Sequence, residues 1–227
     1  MYICEKVCFL LLFFCTLYAH TYAYLTTKIR IVCEITTLFA DFFDANNKVF
    51  MTSTNKRDIR KSVRAEIAKL SATEKEGLSA QIFSNIADLE QIKGASVVAI
   101  FISLPDEPLT TAFIEQITAN KRVVIPRIEG DEMNFYDISK GVAIGAYNIM
   151  EPIATTPIEP CEIDAMIVPG VAFTREGARL GRGKGFYDKY LSRNGFRAYT
   201  IGVCYPCQIV GSLPAEPHDK IIDRVIF

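Results

Sequence analysis

A chain of 227 residues is long enough to bury one sizeable α/β core without disulfide support. Twenty-five Lys and Arg against 26 Asp and Glu leave a formal charge of -1, so no global field attracts nucleic acid or an anionic membrane, and any positive field must be local. Seven cysteines, an odd number without regular spacing, argue against a secreted disulfide framework.

In chain order, the apolar run Cys8 to Ala19 followed by Thr21-Tyr22-Ala23 has the outline of an exported leader, but Glu5 cancels Lys6 and the run is short for a bilayer span. At Met51-Thr-Ser-Thr-Asn-Lys the character changes. The functional domain is expected to run from Met51 to Phe227, with residues 1 to 50 an extension: a signal-like segment, or the product of a start site placed too early. Polar capping residues then precede Ile59, Val63, Ile67 and Leu70, whose spacing predicts one apolar stripe of a helix over residues 55 to 70. The capping box Ser71-Ala-Thr-Glu74 opens a second helix that buries Leu78, Ile82, Ile86 and Leu89.

Val97 to Ile102 is a continuous apolar run of strand length, expected to be covered on both faces. Turn residues Leu104 to Pro108, a helix from about Thr110 to Ala119 and a strand Val123 to Ile125 complete a parallel strand-helix-strand unit. Met133 to Ile138 alternates as an exposed strand does, although Met133 and Phe135 on one face read as core. Gly141 to Asn148 is loop-like with room for a short strand. Ala165 to Val168 is a further buried strand ending at Pro169-Gly170, a helix begins near Gly185, and Tyr199 to Val203 returns as a strand. The fold class is α/β, an open and largely parallel sheet flanked by helices. Cys204-Tyr-Pro-Cys207 has redox-motif spacing but runs into Gln-Ile-Val-Gly rather than a helix, and no second pair completes a zinc site; the thiols read as incidental.

The stretch RLGRGKGFYDKYL, Arg179 to Leu191, carries the chemistry. Ligands of open α/β sheets gather beyond the carboxyl ends of the strands, and this segment follows one. Gly181, Gly183 and Gly185 let the backbone approach an anion and leave its N–H groups free to donate, while Arg179, Arg182 and Lys184 add full charges. The guest this suggests is a polyphosphate. The pattern is neither a P-loop, since no Ser or Thr follows Gly-Lys, nor a dinucleotide fingerprint, and by itself it also suits a glycine-rich turn with solvated cations. Asp188 beside such a loop is a natural magnesium ligand, and Phe186-Tyr187 can wall a flat substrate.

The segment Val168 to Leu191, VPGVAFTREGARLGRGKGFYDKYL, closely resembles the signature of the 5-formyltetrahydrofolate cyclo-ligase family, also called methenyltetrahydrofolate synthetases. KRDIR (Lys56 to Arg60), FISLPDEPLTT (Phe101 to Thr111) and LPAEPHDKIID (Leu213 to Asp223) resemble its other blocks, in the right order. The resemblance implies a three-layer α/β sandwich like that of the sugar-phosphate isomerases and CoA transferases. It implies a cytoplasmic enzyme that converts 5-formyltetrahydrofolate and ATP into 5,10-methenyltetrahydrofolate, ADP and phosphate with magnesium, as a monomer or weak oligomer. Lys56, Arg60 and the run Arg179, Leu180, Gly181, Arg182, Gly183, Lys184, Gly185, Phe186 and Tyr187 would contact ATP, with Lys184, Arg179 and Tyr187 in catalytic roles. Glu107, the backbone near Ile102, and Arg182 to Phe186 would contact the folate, and Asp188 and Asp219 would hold the metal. Phe186 stands where the family commonly has a tyrosine, which keeps the ring and removes a hydroxyl. Arg127, after a strand end, is a further candidate for phosphate or the folate glutamate tail, and His218 is expected to position Asp219 or face solvent. A folate- or nucleotide-binding homologue without turnover is the alternative; a sugar-phosphate isomerase shares the architecture but needs no ATP site.

Overall fold

A computed structural model describes residues 55–145 and 150–227. The leader-like run, the extension and the Met51 boundary lie outside the described residues.

Helix α1, Lys56–Ile67, starts where the Asn55 side chain accepts from the Arg57 N–H and buries Ile59, Val63 and Ile67. Helix α2, Ala72–Ala87, begins with the expected capping box, the Ser71 hydroxyl accepting from the Glu74 N–H and the Glu74 carboxylate from the Ser71 N–H. A five-residue helix α3, Glu90–Gly94, leads into strand β1, Val97–Ala99. The apolar run that predicts a strand to Ile102 thus leaves the ladder earlier, although the Ile100 N–H still donates to Val124 at 3.0 Å. Helix α4, Thr111–Thr118, connects β1 to the long strand β2, Arg122–Glu129.

Strand β3, Glu132–Asp137, returns antiparallel to β2. Met133 and Phe135 are buried, as their shared face suggests, and Tyr136, on the face that the alternation leaves exposed, is buried as well. The Phe135 carbonyl accepts from Ile158, its ring packs edge-on to Tyr190 at 4.8 Å, and Arg127 covers Tyr136 at 3.9 Å. Alternation alone does not reveal cover supplied by segments distant in sequence. Strands β4, Val142–Ile144, and β5, Met150–Pro152, form a small antiparallel ribbon.

Strand β6, Ala165–Pro169, runs parallel to β1. Strands β7, Ala172–Phe173, and β8, Arg179–Leu180, make a short ladder that delivers the glycine loop, followed by helix α5, Phe186–Leu191. Strands β9, Tyr199–Val203, and β10, Arg224–Ile226, complete the sheet, whose order is β10-β9-β6-β1-β2-β3 with β3 alone antiparallel to its neighbour.

Side chains of the central strands alternate between two apolar layers. Val98, Ile100, Val123, Ile125 and Ile167 meet α1, α2 and α4, while Ala99, Val124, Met166 and Val168 meet Tyr190 and Leu191 of α5 and the 158–163 segment. The architecture is therefore three-layered, with the sheet in the middle. The Phe173 ring fits between Gly170 and Gly202: a Cβ at either glycine would lie 2.6 Å from it. That close approach fixes β7 against β9 and, through the β7–β8 ladder, the base of the loop.

The thiols of the Cys204–Cys207 pair are free. Burial pushes the Cys204 thiol well up and the Cys207 thiol up to about 11, so neither is a ready thiolate. Among the described residues no helix is long and apolar enough to cross a membrane.

Candidate active site

The residues just after β1 (Phe101, Ile102), the second half of β2 (Pro126, Arg127) and the end of β6 (Pro169, Gly170) open onto a cleft of about 1510 Å³. It lies beyond the carboxyl edge of the parallel strands, where open α/β sheets bind ligands. Every candidate residue borders it: Lys56 and Arg60 from α1, Ile102 and Glu107 after β1, the run Arg179 to Asp188, and Asp219. The volume exceeds the roughly 300–1,000 Å³ of a single drug-sized ligand site, which leaves room for two co-substrates side by side.

The glycine loop links β8 to α5. Gly183 and Gly185 have φ of 102° and 70°, in the left-handed region that a side chain strains, so the loop's path requires glycine at both. The Arg60 Nε donates to the Gly181 carbonyl at 2.8 Å, tying α1 to the loop backbone. Lys184 is exposed and, among the described residues, has no ion-pair partner. Leu180 borders the cleft but is itself core, 2% exposed.

The remaining cations are held by carboxylates. Arg179, its side chain 4% exposed, donates to Asp188 at 2.7 Å and leaves Nε buried without a partner among the described residues. Lys56 Nζ lies 2.8 Å from Asp219 Oδ2 and 3.2 Å from Glu216. Burial works against the Lys56 charge, but the hydrogen bonds it donates to Asp219 and Glu216 outweigh it and raise the lysine's pKa. Burial likewise works against the Asp219 carboxylate, and Lys56 with the Glu216 N–H draws its pKa down. Across the cleft, Arg182 reaches both Asp106 and Glu107. Burial opposes the Asp106 charge too, and the hydrogen bond from Arg182 brings its pKa below the ordinary carboxylate value.

Tyr187 sits below Arg179, whose guanidinium carbon is 5.5 Å from the ring centroid. Its hydroxyl is buried without a partner among the described residues, and burial, reinforced by the Glu107 charge, pushes its pKa far above that of an ordinary tyrosine. The group is a neutral donor facing a charged cleft.

Arg127 borders the cleft, but its donors are committed inward, to Glu129 at 2.7 Å and to the Pro152 and Ala154 carbonyls at 3.1 and 3.0 Å. It acts as a tie between β2 and the segment after β5 rather than as a free cation. His218 faces solvent with its side chain 67% exposed; it lies 3.2 Å from Glu216 and, at 3.8 Å, beyond hydrogen-bond reach of Asp219. Ligand atoms of Glu216, His218 and Asp219 all lie within 4.8 Å of one another, and among the described residues no such group of three includes Asp188. Sequence reasoning missed Glu216 and Asp106, whose only signal is a position beside a residue already singled out. Met133, read as core, is both 4% exposed and part of the cleft wall.

The chain is similar in sequence and fold to known proteins. A mouse 5-formyltetrahydrofolate cyclo-ligase is 27% identical over 188 residues, which is 76% of this chain and 93% of that protein. The Escherichia coli K12 5-formyltetrahydrofolate cyclo-ligase is 28% identical over 174 residues, 72% of this chain and 95% of that protein. The solved structure of the Aquifex aeolicus 5,10-methenyltetrahydrofolate synthetase superposes with a TM-score of 0.69 at 33% identity, covering 75% of this chain and 88% of that one. A Mycoplasma pneumoniae 5,10-methenyltetrahydrofolate synthetase superposes at 0.63 with 29% identity, covering 76% and 98%. The profile of the 5-formyltetrahydrofolate cyclo-ligase family matches residues 52–227, the span that carries every strand and helix described above, and the chain belongs to that family.

Proposed function

We propose that this chain catalyses the ATP-dependent conversion of 5-formyltetrahydrofolate into 5,10-methenyltetrahydrofolate, releasing ADP and phosphate. The observation that carries the proposal is convergence: the cationic glycine loop, the α1 cations and Glu107 all face one cleft large enough for a nucleotide and a folate. A formyl group on a ring nitrogen is an amide whose oxygen leaves poorly. Transfer of the γ-phosphoryl to that oxygen makes it a good leaving group. The second folate nitrogen, tethered alongside, then attacks the one-carbon centre, and the oxygen departs with its phosphate.

Phosphoryl transfer needs mainly positioning and charge neutralisation, and the chain's own residues supply both. Lys56, Arg60 and the amides of residues 180–187 bind the triphosphate, and exposed Lys184 is placed to follow the γ-phosphoryl. Arg179 is held rigidly by Asp188 at the base of the loop. Tyr187 donates from its buried hydroxyl, and Glu107, with the backbone near Ile102, accepts from folate N–H groups. Phe186 offers a ring for stacking without a hydroxyl.

Hard carboxylate oxygens suit magnesium, and Asp188 and Asp219 both border the cleft; among the described residues Asp219 lies in a close group of donors with Glu216 and His218, while Asp188 is paired with Arg179 and Asp219 with Lys56. Asp188 and Asp219 would hold the ion, which supplies further neutralisation of phosphate charge. Residues 1 to 50 are proposed as an extension to the catalytic domain of residues 51 to 227, and the protein as a cytoplasmic monomer or weak oligomer.

The test is incubation of the purified chain with ATP, magnesium and 5-formyltetrahydrofolate. Methenyl absorbance should rise in step with ADP. Binding of both ligands without turnover would identify the non-catalytic homologue instead.

A further inference from the structure

The turn after β1 presents two adjacent carboxylates to one guanidinium. Arg182 Nη2 donates to Asp106 Oδ1 at 2.5 Å and to Glu107 Oε1 at 2.8 Å, and its Nε reaches the same Glu107 oxygen at 3.2 Å. The two acids are not equivalent. Glu107 borders the cleft, has a side chain 7% exposed, and uses its other oxygen to accept from the Leu104 N–H at 3.0 Å. Both of its oxygens are therefore engaged before any ligand arrives. Asp106 does not border the cleft, is 30% exposed at its side chain, and has its second oxygen 3.8 Å from Arg64.

Arg182 belongs to the nucleotide loop, and its partners belong to the segment that faces the folate. If Glu107 were the sole partner, N–H donors of a bound folate would compete for the oxygen that holds Arg182. Filling one end of the cleft would then loosen the other. A second carboxylate outside the cleft removes that conflict, because a charge-assisted hydrogen bond to Asp106 persists whatever Glu107 does.

We propose that Asp106 is a positioning residue: it retains Arg182 when Glu107 turns its cleft-facing oxygen to the reduced folate, so that folate and nucleotide occupy the cleft together without antagonism. The proposal rests on the function argued above and adds a coupling between its two ligands. Coupling of this kind is read as the ratio of one ligand's affinity with and without the other.

The experiment titrates a non-hydrolysable ATP analogue with magnesium into the full chain, with and without saturating 5-formyltetrahydrofolate. In the wild-type protein folate leaves the nucleotide Kd unchanged or tightens it. In Asp106→Ala, folate weakens nucleotide binding by about fivefold or more, within the usual range of site-to-site coupling. The Kd of each ligand alone moves by less than about twofold, as expected of a residue that touches neither. Asp106→Glu restores the wild-type ratio. A merely structural residue would lower both affinities without changing their ratio, and that result overturns the proposal. So does an unchanged ratio in Asp106→Ala, failure of Glu to rescue it, or loss of folding, seen as loss of the cooperative thermal transition. A wild-type chain that binds neither ligand refutes the function itself and this coupling with it, whereas wild-type binding with an indifferent variant refutes the coupling alone.

Discussion

Two side chains, one in the loop and one in the first turn of α5, separate catalysis from stability. Lys184 is exposed and, among the described residues, without an ion pair, so its charge contributes little to holding the fold. Lys184→Ala should therefore shift unfolding by no more than about 0.5 kcal/mol. The rate with ATP should fall by about a hundredfold, the usual loss when one preorganised charge stabiliser is removed. Denaturant titration and steady-state kinetics on one preparation check both halves; wild-type turnover would remove Lys184 from the phosphate site. Tyr187 makes the complementary case. Its buried hydroxyl has no partner among the described residues, so Tyr187→Phe deletes an unsatisfied group and should leave stability equal or higher. If the hydroxyl donates to a ligand, kcat/KM drops by about tenfold, one charge-assisted hydrogen bond's worth. The raised pKa means the folded protein holds this proton more tightly than the unfolded chain, so its linkage favours the fold below about pH 10 and is lost only as pH climbs beyond that. No kinetic break from Tyr187 is expected between pH 7 and about 10.

At the scale of elements, the β2–β3 edge is tied by Glu129, which accepts from Tyr136 at 2.6 Å, from Arg127 at 2.7 Å and from Asn134 at 3.2 Å. These hydrogen bonds, Tyr136 first, draw its pKa from 4.5 down to about 2. A depressed carboxylate stabilises the fold above its unfolded pKa and loses that contribution as pH falls through the interval from about 4.5 to about 2. Glu129→Gln should flatten the fall of the thermal midpoint across that interval, with the difference shrinking in high salt because the side chain is 43% exposed. Parallel curves for the two proteins would show that the network carries no linkage.

The elements legible in the sequence are those whose signal is local. The Ser71–Glu74 box and the Ile59, Val63, Ile67 stripe specify their helices without help from the rest of the chain. β7, β8 and β10 are two or three residues long, too short for any period to show, and exist because Phe173 packs between two glycines and Arg224 to Ile226 finds a neighbour in β9. The site divides in the same way. Its loop cations are clustered within a few residues and can be read directly, as can Asp188, nine positions from its partner Arg179, but the counter-ions of Lys56 and Arg182 come from afar, Asp219 being 163 positions from Lys56 and Glu107 75 from Arg182. Spacing along a chain does not encode such pairs.

At the scale of the whole molecule, every described strand and the described residues of both apolar layers and of the cleft border fall between Asn55 and Phe227. The family profile covers 52–227, and the alignable length of the mouse relative is 93% of that protein. A polypeptide of residues 51–227 therefore contains each group invoked in binding and transfer: Lys56 and Arg60 near its start, Glu107 and the loop in its middle, Asp219 near its end. It should unfold in a single cooperative transition, as single domains of this size usually do. Its kcat and both KM values should match those of the 227-residue chain within about twofold. Equal kinetics would place residues 1 to 50 outside the chemistry. A fall in kcat with an unchanged unfolding transition would instead show that the extension reaches the reaction, and the domain boundary at Met51 would have to be abandoned.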